Sequence, residues 1–308
     1  EKVLTSTEAM LQKEIPSSMI VIGSGAIGVE FSYFYNAYGT KVTIIEMMDR
    51  IVPVEDEEIS KELKKIFERE GMTIHTQTKV ISAKRNGNGA VVEIEKKDGT
   101  RETLTADVVL SAIGVQGNIE DIGVEAVGIA TERGWIKVDK YCQTNVPGIY
   151  AVGDIAGAPW LAHKATFEGI VAAEHLAGHH TDGVNYDNIP GCTYCQPQVA
   201  SVGLTEKKAK DAGYEVKVGK FPFTASGKAH GIGKTQGFVK IVFDAKYGEV
   251  LGAHMIGPDV TELIAEMGLA RELGATGPAI FRTVHAHPTL SEAVMESAAI
   301  AWNEGVNF

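Results

Sequence analysis

Short apolar runs and longer helical repeats alternate through the first part of the chain, and this alternation predicts strands separated by helices. Residues 19–22 (MIVI) form the first strand pattern, which runs into a glycine turn. A helical pattern then extends over 26–38, where Gly39 ends it. After the strand pattern KVTIIE, a second helix starts with acidic residues and ends at Gly71. Its apolar face consists of Ile59, Leu63, Ile66 and Phe67.

The hydrophobic period then shortens to two residues. MTIH predicts a short strand, and residues 79–107 alternate around turns at NGNG and DG, a pattern typical of an antiparallel meander. VVLSAIG returns to a continuous apolar run, as expected for a buried strand. Residues 1–115 are therefore predicted to form one βαβ-type domain.

Two further segments follow this domain. In 116–186, GIYAVGDIAG predicts an apolar strand ending in glycine and aspartate, and LAHKATFEGIVAAEHLAG predicts a helix closed by Gly178. In 187–308, strand patterns come first (QVASVGL, YEVKVGKFPF, GFVKIVFD and EVLGAHMIG), and helices near 258–273 and 290–302 come last. Strands followed by helices are typical of a separate α+β domain. The predicted fold class is α/β with a C-terminal α+β domain.

Composition narrows the classes of partner. The 308 residues are 44% hydrophobic and include 34 glycines, which suits a globular α/β protein. A formal net charge of −11 argues against nucleic acid or an anionic membrane as partner, because either would favour a basic face. No apolar run is long enough for a membrane span, and no signal-peptide pattern is present. Three cysteines, an odd count, argue against a disulfide framework and favour a reducing compartment.

The glycine turn carries the most specific local motif. Gly23, Gly25 and Gly28 form G-x-G-x-x-G between a strand and a helix, and Glu46 ends the next strand pattern, a separation of 46 − 23 = 23 positions. That is the dinucleotide fingerprint in its required context, in which the glycines allow the tight turn, the approach of a pyrophosphate and the packing of the helix. Glu46 would accept hydrogen bonds from ribose hydroxyls and repel a 2′-phosphate, so NAD is predicted over NADP. The alternative is a structural glycine turn with a solvated glutamate. Glu30 faces either the ligand or solvent on the following helix.

A second candidate ligand site lies at Asp154. The residue ends an apolar strand pattern, the position at which α/β sheets bind ligands. Small residues on the helix that follows suit close contact with a backbone or a flat cofactor, and these are Ala162, Ala165, Gly169 and Ala173. The alternative makes Asp154 a helix or turn cap.

The remaining cysteine and histidine motifs have competing interpretations. Cys192-x-x-Cys195 has no second pair to complete a metal site, and it precedes a strand pattern rather than a helix, so two ordinary thiols are favoured. In HAHPTLSE (285–292), Thr289-x-x-Glu292 fits a helix capping box. A carboxylate beside His287 would instead fix its tautomer and raise its basicity. The residues alone leave these two roles of Glu292 open.

Together, these motifs resemble those of the pyridine nucleotide–disulfide oxidoreductases. The similarity runs from VLTSTEA through MIVIGSGAIGVEF, YAVGDIAGAPWLAHKA and PQVASVGLTE to VHAHPTLSEA, and so covers essentially the whole chain. Members of the family are homodimers that bind FAD and NAD. The most similar members reoxidise the dihydrolipoyl groups on the acyltransferase components of 2-oxo acid dehydrogenase complexes, passing electrons through a cysteine pair and flavin to NAD. The resemblance implies the same activity for this chain, and a location in a bacterial cytoplasm or in the mitochondrial matrix.

The resemblance also implies a role for each motif. Contact with NAD is implied for Gly23, Ser24, Gly25, Ala26, Ile27, Gly28, Val29, Glu30, Glu46, Val80 and Gly114. Contact with FAD is implied for Asp154, Trp160, Leu161, Ala162 and His163. His287 is implied to be the acid/base of the reaction, oriented by Glu292 and acting on the active site of the other subunit. No metal site is expected.

The chain departs from the family pattern in two places. Val115, Gln116 and Gly117 follow Gly114 where the family often has arginine and proline, which removes the basis for a side-chain contact from this loop. The second departure concerns the family's first glycine fingerprint and its two cysteines separated by four residues, neither of which occurs here. The chain is therefore expected to start partway through the FAD domain, to hold the FAD site only in part and to be inactive alone.

The expected organisation combines both kinds of inference. Residues 1–115 would be a Rossmann-like NAD-binding domain with a linker strand at its start, and 116–186 the C-terminal part of an FAD-binding domain, a partial second nucleotide-binding domain. Residues 187–308 would be the dimerisation domain. Two other functions compete with this one: a non-catalytic NAD-binding and dimerisation module, and a flavin disulfide reductase that acts on a glutathione-like thiol.

Overall fold

The computed structural model describes residues 2–307, which form two compact units. The larger unit contains the described residues up to Ile113 together with those from Pro190 onward. The smaller unit is Gly114–Ile189. Within residues 2–307, no helix is both long and apolar enough to cross a membrane.

The first part of the larger unit is a five-stranded parallel sheet in the order β1-β8-β2-β3-β4. Its strands are β1 (Val3–Leu4), β2 (Ser18–Ile22), β3 (Lys41–Ile45), β4 (Thr73–His75) and β8 (Val108–Ser111). The helices are α1 (Ser6–Met10), α2 (Ala26–Ala37) and α3 (Glu57–Arg69). The predicted meander is confirmed as the antiparallel sheet β5 (Thr78–Asn86), β6 (Gly89–Lys96) and β7 (Arg101–Ala106).

Burial on both faces explains the continuous apolar character of β2. Met19 and Val21 join the core formed with α2 and α3, whereas Ile20 and Ile22 join the core formed with the meander. The predicted apolar face of α3 is confirmed, because all four of its residues are fully buried. Asp56 caps this helix by accepting a hydrogen bond from the backbone N–H of Glu58.

The smaller unit contains β9 (Thr131–Glu132), β10 (Trp135–Ile136) and α4 (Ala162–Leu176). The strand predicted in GIYAVGDIAG is wrong for this structure. Tyr150 forms one isolated bridge with Gln143, and Gly153–Ala156 is a 3₁₀ turn. An apolar run becomes a strand only where a neighbouring strand pairs with its backbone, and the pairing of this segment extends over a single bridge.

The C-terminal part of the larger unit is an antiparallel sheet in the order β11-β12-β15-β14-β13. Its strands are β11 (Gly191–Thr193), β12 (Gln198–Gly203), β13 (Val216–Pro222), β14 (Phe238–Asp244) and β15 (Val250–Gly257). The helices are α5 (Glu206–Asp211), α6 (Gly227–Gly231), α7 (Val260–Glu272), α8 (Gly277–Phe281) and α9 (Glu292–Ile300).

Both faces of this second sheet are covered. Ala253 and Met255 pack with α7 and α9 in one core, whereas Val199, Phe238 and Ile256 belong to the core that also contains α3. Every residue of β14 and β15 is consequently buried. With these elements, the predicted α/β fold class and its C-terminal α+β domain are confirmed.

Candidate functional site

Two of the three glycines in the nucleotide turn are required by close backbone contacts. Gly23 has a φ of +95°, and a Cβ built there would lie 2.5 Å from the carbonyl oxygen of Ala112. A Cβ on Gly28 would collide with the carbonyl oxygen of Gly23. A Cβ on Gly25 would meet no atom of residues 2–307 within 4 Å, so the space in front of this residue is open. The turn therefore keeps its shape through Gly23 and Gly28, and Gly25 leaves room for a ligand.

The open space in front of Gly25 is part of a cavity of about 470 Å³ at the start of α2. Gly25 is the N-cap of α2, and no side chain of residues 2–307 caps this end, so the first amides of the helix and its positive partial charge remain available to an anion. The cavity is lined by Ile22, Gly23, Ser24, Gly25, Ile45, Glu46, Met47, Thr78, Lys79, Val80, Ala112 and Ile113. Its size, open helix end and acidic residue fit a dinucleotide.

The Glu46 carboxylate is buried and accepts hydrogen bonds from the protein itself, which the sequence did not indicate. The residue is only 8% exposed. Its Oε2 accepts hydrogen bonds from the backbone N–H of Ser24 (2.9 Å) and from the Ser24 hydroxyl (2.6 Å), and its Oε1 accepts one from the N–H of Met48 (2.8 Å). A carboxylate offers about four acceptor positions, so one remains, on Oε1, for a ribose hydroxyl. The negative charge that would oppose a 2′-phosphate is held rigidly in place.

The other residues implied for NAD do not all reach this cavity. Ala26 and Ile27 begin α2 beside it, but Val29 is fully buried in the core. Glu30 lies in a different, largely apolar cavity of about 500 Å³, where its Oε1 accepts a hydrogen bond from the N–H of Tyr194 (2.8 Å). Gly114, exposed and with a φ of +129°, belongs to the smaller unit.

In the smaller unit, Asp154 is exposed on the 3₁₀ turn Gly153–Ala156. The backbone N–H of Gly157 donates to the Asp154 carbonyl oxygen (3.2 Å), so the residue also closes a turn. Leu161 is the N-cap of α4, and Ala162 and His163 are exposed in its first turn. Trp160 is partly exposed and packs on Trp135, with ring centroids 5.5 Å apart. The N-terminus of α4 suits an anionic group, and the exposed Asp154 carboxylate can accept a hydrogen bond from a hydroxyl group.

A buried ion pair holds the Asp154 turn, and sequence reasoning missed it. Lys164 is fully buried, and its Nζ donates to the carbonyl oxygens of Gly153 (2.9 Å) and Gly157 (2.8 Å) while lying 3.1 Å from Oε1 of Glu168. The Glu168 carboxylate accepts from the N–H of Gly153 (2.7 Å) and from the hydroxyl of Tyr186 (2.6 Å). All three ammonium hydrogens thus have acceptors. The signal in the sequence is a lysine and a glutamate four residues apart on a helix of small and apolar residues.

His287 and Glu292 are brought together at the start of α9. Nδ1 of His287 lies 2.9 Å from Oε1 of Glu292, and the imidazole side chain is 78% exposed. Because a carboxylate oxygen accepts, Nδ1 carries the hydrogen, and Nε2 of a neutral ring is left as a basic lone pair. Partial burial tends to raise the pKa of Glu292, but the N–H of Thr289 and the His287 ring outweigh it, so this pKa is lowered.

The two roles considered for Glu292 coexist. While Oε1 bonds His287, Oε2 accepts from the backbone N–H of Thr289 (2.8 Å), which is half of the predicted capping box. The other half of the box, in which the Thr289 side chain would cap the helix as its N-cap residue, is wrong. Ser291 is the N-cap, and the Thr289 hydroxyl donates to the carbonyl oxygen of Ala286 (2.6 Å). The helix end thereby fixes the carboxylate that orients the imidazole.

The three cysteines are free thiols in environments that suppress ionisation. Burial raises the pKa of Cys195 to about 12 and that of Cys142 to about 11, and it also raises the pKa of Cys192. Sγ of Cys195 lies 3.2 Å from the carbonyl oxygen of Pro197. The interpretation of Cys192 and Cys195 as ordinary thiols agrees with this chemistry.

Comparison with known proteins shows the family to which the chain belongs. Residues 1–169 match the family "Pyridine nucleotide-disulphide oxidoreductase", and residues 189–298 match the dimerisation domain of the same family. The chain belongs to the pyridine nucleotide–disulfide oxidoreductases, as the sequence motifs predicted. Curated relatives are named dihydrolipoyl dehydrogenase, among them proteins of Chlorobaculum tepidum (49% identity over 97% of the chain) and Rhizobium etli (48% over 99%). The chain spans 64% of the length of each.

Solved structures agree with this placement. LpdA from Mycobacterium tuberculosis matches 97% of the chain and 65% of its own length, with a TM-score of 0.89 and 28% identity. The HOCl-induced flavoprotein disulfide reductase RclA from Escherichia coli matches 97% of the chain and 68% of its own length, with a TM-score of 0.89 and 27% identity. The fold is therefore that of the flavoprotein disulfide reductases.

Proposed function

We propose that this chain is the NAD-binding and interface part of a dihydrolipoyl dehydrogenase, which uses FAD and NAD to reoxidise the dihydrolipoyl groups of 2-oxo acid dehydrogenase complexes. The observation that carries the proposal is the His287–Glu292 pair, with Nδ1 tied to a carboxylate and an exposed ring. Oxidation of a dithiol requires the removal of thiol protons, and an imidazole with a free Nε2 suits that task at neutral pH. The names of the curated relatives support the same activity.

In this proposal, each part of the chain has one task. Residues 1–115 bind NAD, 116–186 contribute part of the FAD site, and 187–308 form a homodimer through which His287 reaches the other subunit's dithiol. The cavity at Gly25 takes the pyrophosphate, and Glu46 accepts from a ribose hydroxyl and disfavours a 2′-phosphate. Bound FAD would carry electrons between the disulfide and NAD. Asp154, on its clamped turn, would accept a hydrogen bond from this cofactor.

His287 is the proton acceptor of the proposed reaction. Its Nε2 takes the proton from the thiol of dihydrolipoamide as that sulfur attacks the redox disulfide, and it later returns the proton to a leaving thiolate. Glu292 holds Nδ1–H and stabilises the imidazolium formed in this step. The backbone N–H of Thr289 donates to Oε2 of the same carboxylate and keeps it oriented toward the ring.

The proposed reaction also needs a redox-active thiol pair. Cys142, Cys192 and Cys195 do not have the spacing of the family's pair, and burial raises the pKa of each thiol. We therefore expect the 308 residues to bind NAD but not to turn over on their own. The same observation favours the second candidate function, an NAD-binding and dimerisation module without its own catalysis. A reducing compartment, bacterial cytoplasm or mitochondrial matrix, suits three free thiols.

A chimera separates these functions. The part of the Chlorobaculum tepidum relative that lies outside the match is joined to this chain, and NAD reduction is measured with dihydrolipoamide and with glutathione. We expect turnover with dihydrolipoamide only. Turnover with glutathione alone would identify a different disulfide reductase, and a folded, flavin-loaded chimera inactive with both thiols would favour the non-catalytic module.

The proton acceptor is tested in the same chimera. His287→Gln should slow dihydrolipoamide oxidation by about 10² to 10⁴, the usual loss of a positioned general base. It should spare NADH oxidation by an artificial dye, which needs no thiol deprotonation. If both rates fell equally while flavin content and dimer content were normal, the acid/base role of His287 would be wrong.

A further inference from the structure

A second histidine–glutamate pair lies two residues before His287. Nε2 of His285 is 2.8 Å from Oε1 of Glu266 on α7, and Nδ1 of the same ring is 2.9 Å from the backbone carbonyl oxygen of Thr283. The His285 side chain is only 6% exposed, in contrast to that of His287 at 78%. Both ring nitrogens of a nearly buried imidazole therefore face oxygen atoms that can only accept.

A neutral imidazole cannot satisfy this arrangement. It carries one N–H, so one of the two short contacts of His285 would set a nitrogen lone pair against an oxygen lone pair. An imidazolium carries two N–H groups and satisfies both contacts. His254 illustrates the opposite case: its Nε2 lies 2.9 Å from the carbonyl oxygen of Leu204, while its buried Nδ1 has no hydrogen-bond partner among residues 2–307, as suits a neutral ring.

We propose that His285 is held as an imidazolium and acts as a positioning residue, tying the segment that carries His287 to α7. That segment, residues 282–291, connects α8 to α9. The bond to Glu266 anchors it to α7, and the bond to Thr283 closes its first turn. The imidazolium charge also acts on Glu292, the carboxylate that holds His287.

The charges around His285 favour its protonated form. The hydrogen bond to Glu266 is the largest cause that raises its pKa; burial opposes the shift, and the Thr283 carbonyl and the charge of Glu292 add to it. The acidic groups that face the ring thus come from both α7 and α9. Because the folded-state pKa is raised, the stabilisation is complete below the unfolded value of 6.5 and is lost as the pH rises through the folded-state pKa.

Nitrogen NMR of the histidine rings tests the charge directly in the 308-residue protein. At pH 7 we expect both ring nitrogens of His285 to be protonated, whereas those of His254 report one protonated and one bare nitrogen. Glu266→Gln keeps an acceptor but removes the charge, and should return His285 to the neutral form at pH 7. His230→Gln is the matched control, since that exposed ring bonds the carbonyl oxygen of Thr224 and not a carboxylate among residues 2–307. A neutral His285 in the folded wild-type protein would overturn the proposal, whether or not any variant folds.

The positioning role rests on the proposed function and is tested in the active chimera. His285→Gln should slow dihydrolipoamide oxidation by about tenfold, less than the loss of His287 itself, and should spare the NADH–dye reaction. The ratio of the wild-type rate to the His285→Gln rate should fall as the pH rises, because deprotonation of His285 removes one of its two hydrogen bonds in the wild type as well. A ratio independent of pH would contradict the role. A chimera inactive with every thiol would count against the proposed function and leave the NMR result to decide the charge.

Discussion

The turn at residues 23–28 and the turn at residues 153–157 both precede a helix and both begin with a glycine of positive φ. The first keeps its shape because backbone atoms lie so close together that a Cβ on Gly23 or Gly28 has no space. The second keeps its shape because Lys164 and Glu168, a buried ion pair, bond the backbone at its two ends. Steric exclusion needs only glycine at the right positions, whereas the ionic clamp needs two complementary charges and complete burial.

The largest expected effect is on the ionic clamp. Lys164→Met leaves the Glu168 carboxylate buried without its cation, and breaking such a pair typically costs about 3 to 5 kcal/mol. We expect that loss in the free energy of unfolding of the smaller unit, measured by urea denaturation with the Trp135 and Trp160 fluorescence as probe. The double variant Lys164→Met/Glu168→Leu should recover most of it. A single variant as stable as the wild type would show that the ion pair does not hold the turn.

An intermediate effect is expected on the glycine turn at residues 23–28. Gly28→Ala forces a Cβ against the Gly23 carbonyl oxygen and should cost about 1 to 3 kcal/mol of stability, as overpacking does. Gly25→Ala is the matched variant, because its Cβ meets no atom within 4 Å in the described part of the chain. It should leave the melting temperature unchanged and weaken NADH binding, measured by fluorescence titration. Equal losses of stability in both variants would contradict the steric argument.

The smallest effects concern coenzyme choice. Ser24→Ala removes one hydrogen bond to Glu46 and should cost about 0.5 to 1.5 kcal/mol in NADH affinity, because the carboxylate is less firmly oriented. Glu46→Gln should weaken NADH binding at least as much as Ser24→Ala, because an amide lacks one of the acceptor oxygens that hold the side chain in place. It should also improve NADPH binding relative to NADH, since the charge that opposes a 2′-phosphate is gone. Calorimetric titration of both coenzymes measures the ratio. A wild-type protein that bound NADH and NADPH equally would remove Glu46 as the source of discrimination.

Much of the candidate site could be predicted because its signals are local. The glycine spacing, the acidic residue at the end of β3 and the HAHPTLSE segment lie within short stretches, and backbone sterics or sequence neighbours constrain them. The helix α3 was equally predictable, since four apolar residues at helical spacing must face the core. The prediction for residues 148–154 was wrong because an apolar run does not contain its own pairing partner.

The sequence by itself indicated most of the elements, the dinucleotide turn and the closeness of His287 to a glutamate five residues later. Only the tertiary structure decided which partners the charged side chains bond. The Glu46 carboxylate accepts hydrogen bonds from Ser24 and Met48, and Lys164 donates to the backbone of the turn that begins at Gly153. His285 was paired with Glu266 across 19 positions, where no local pattern could connect them. The physical reason is that burial sets the cost of an unpaired charge, and burial depends on contacts between distant segments that only the folded chain creates.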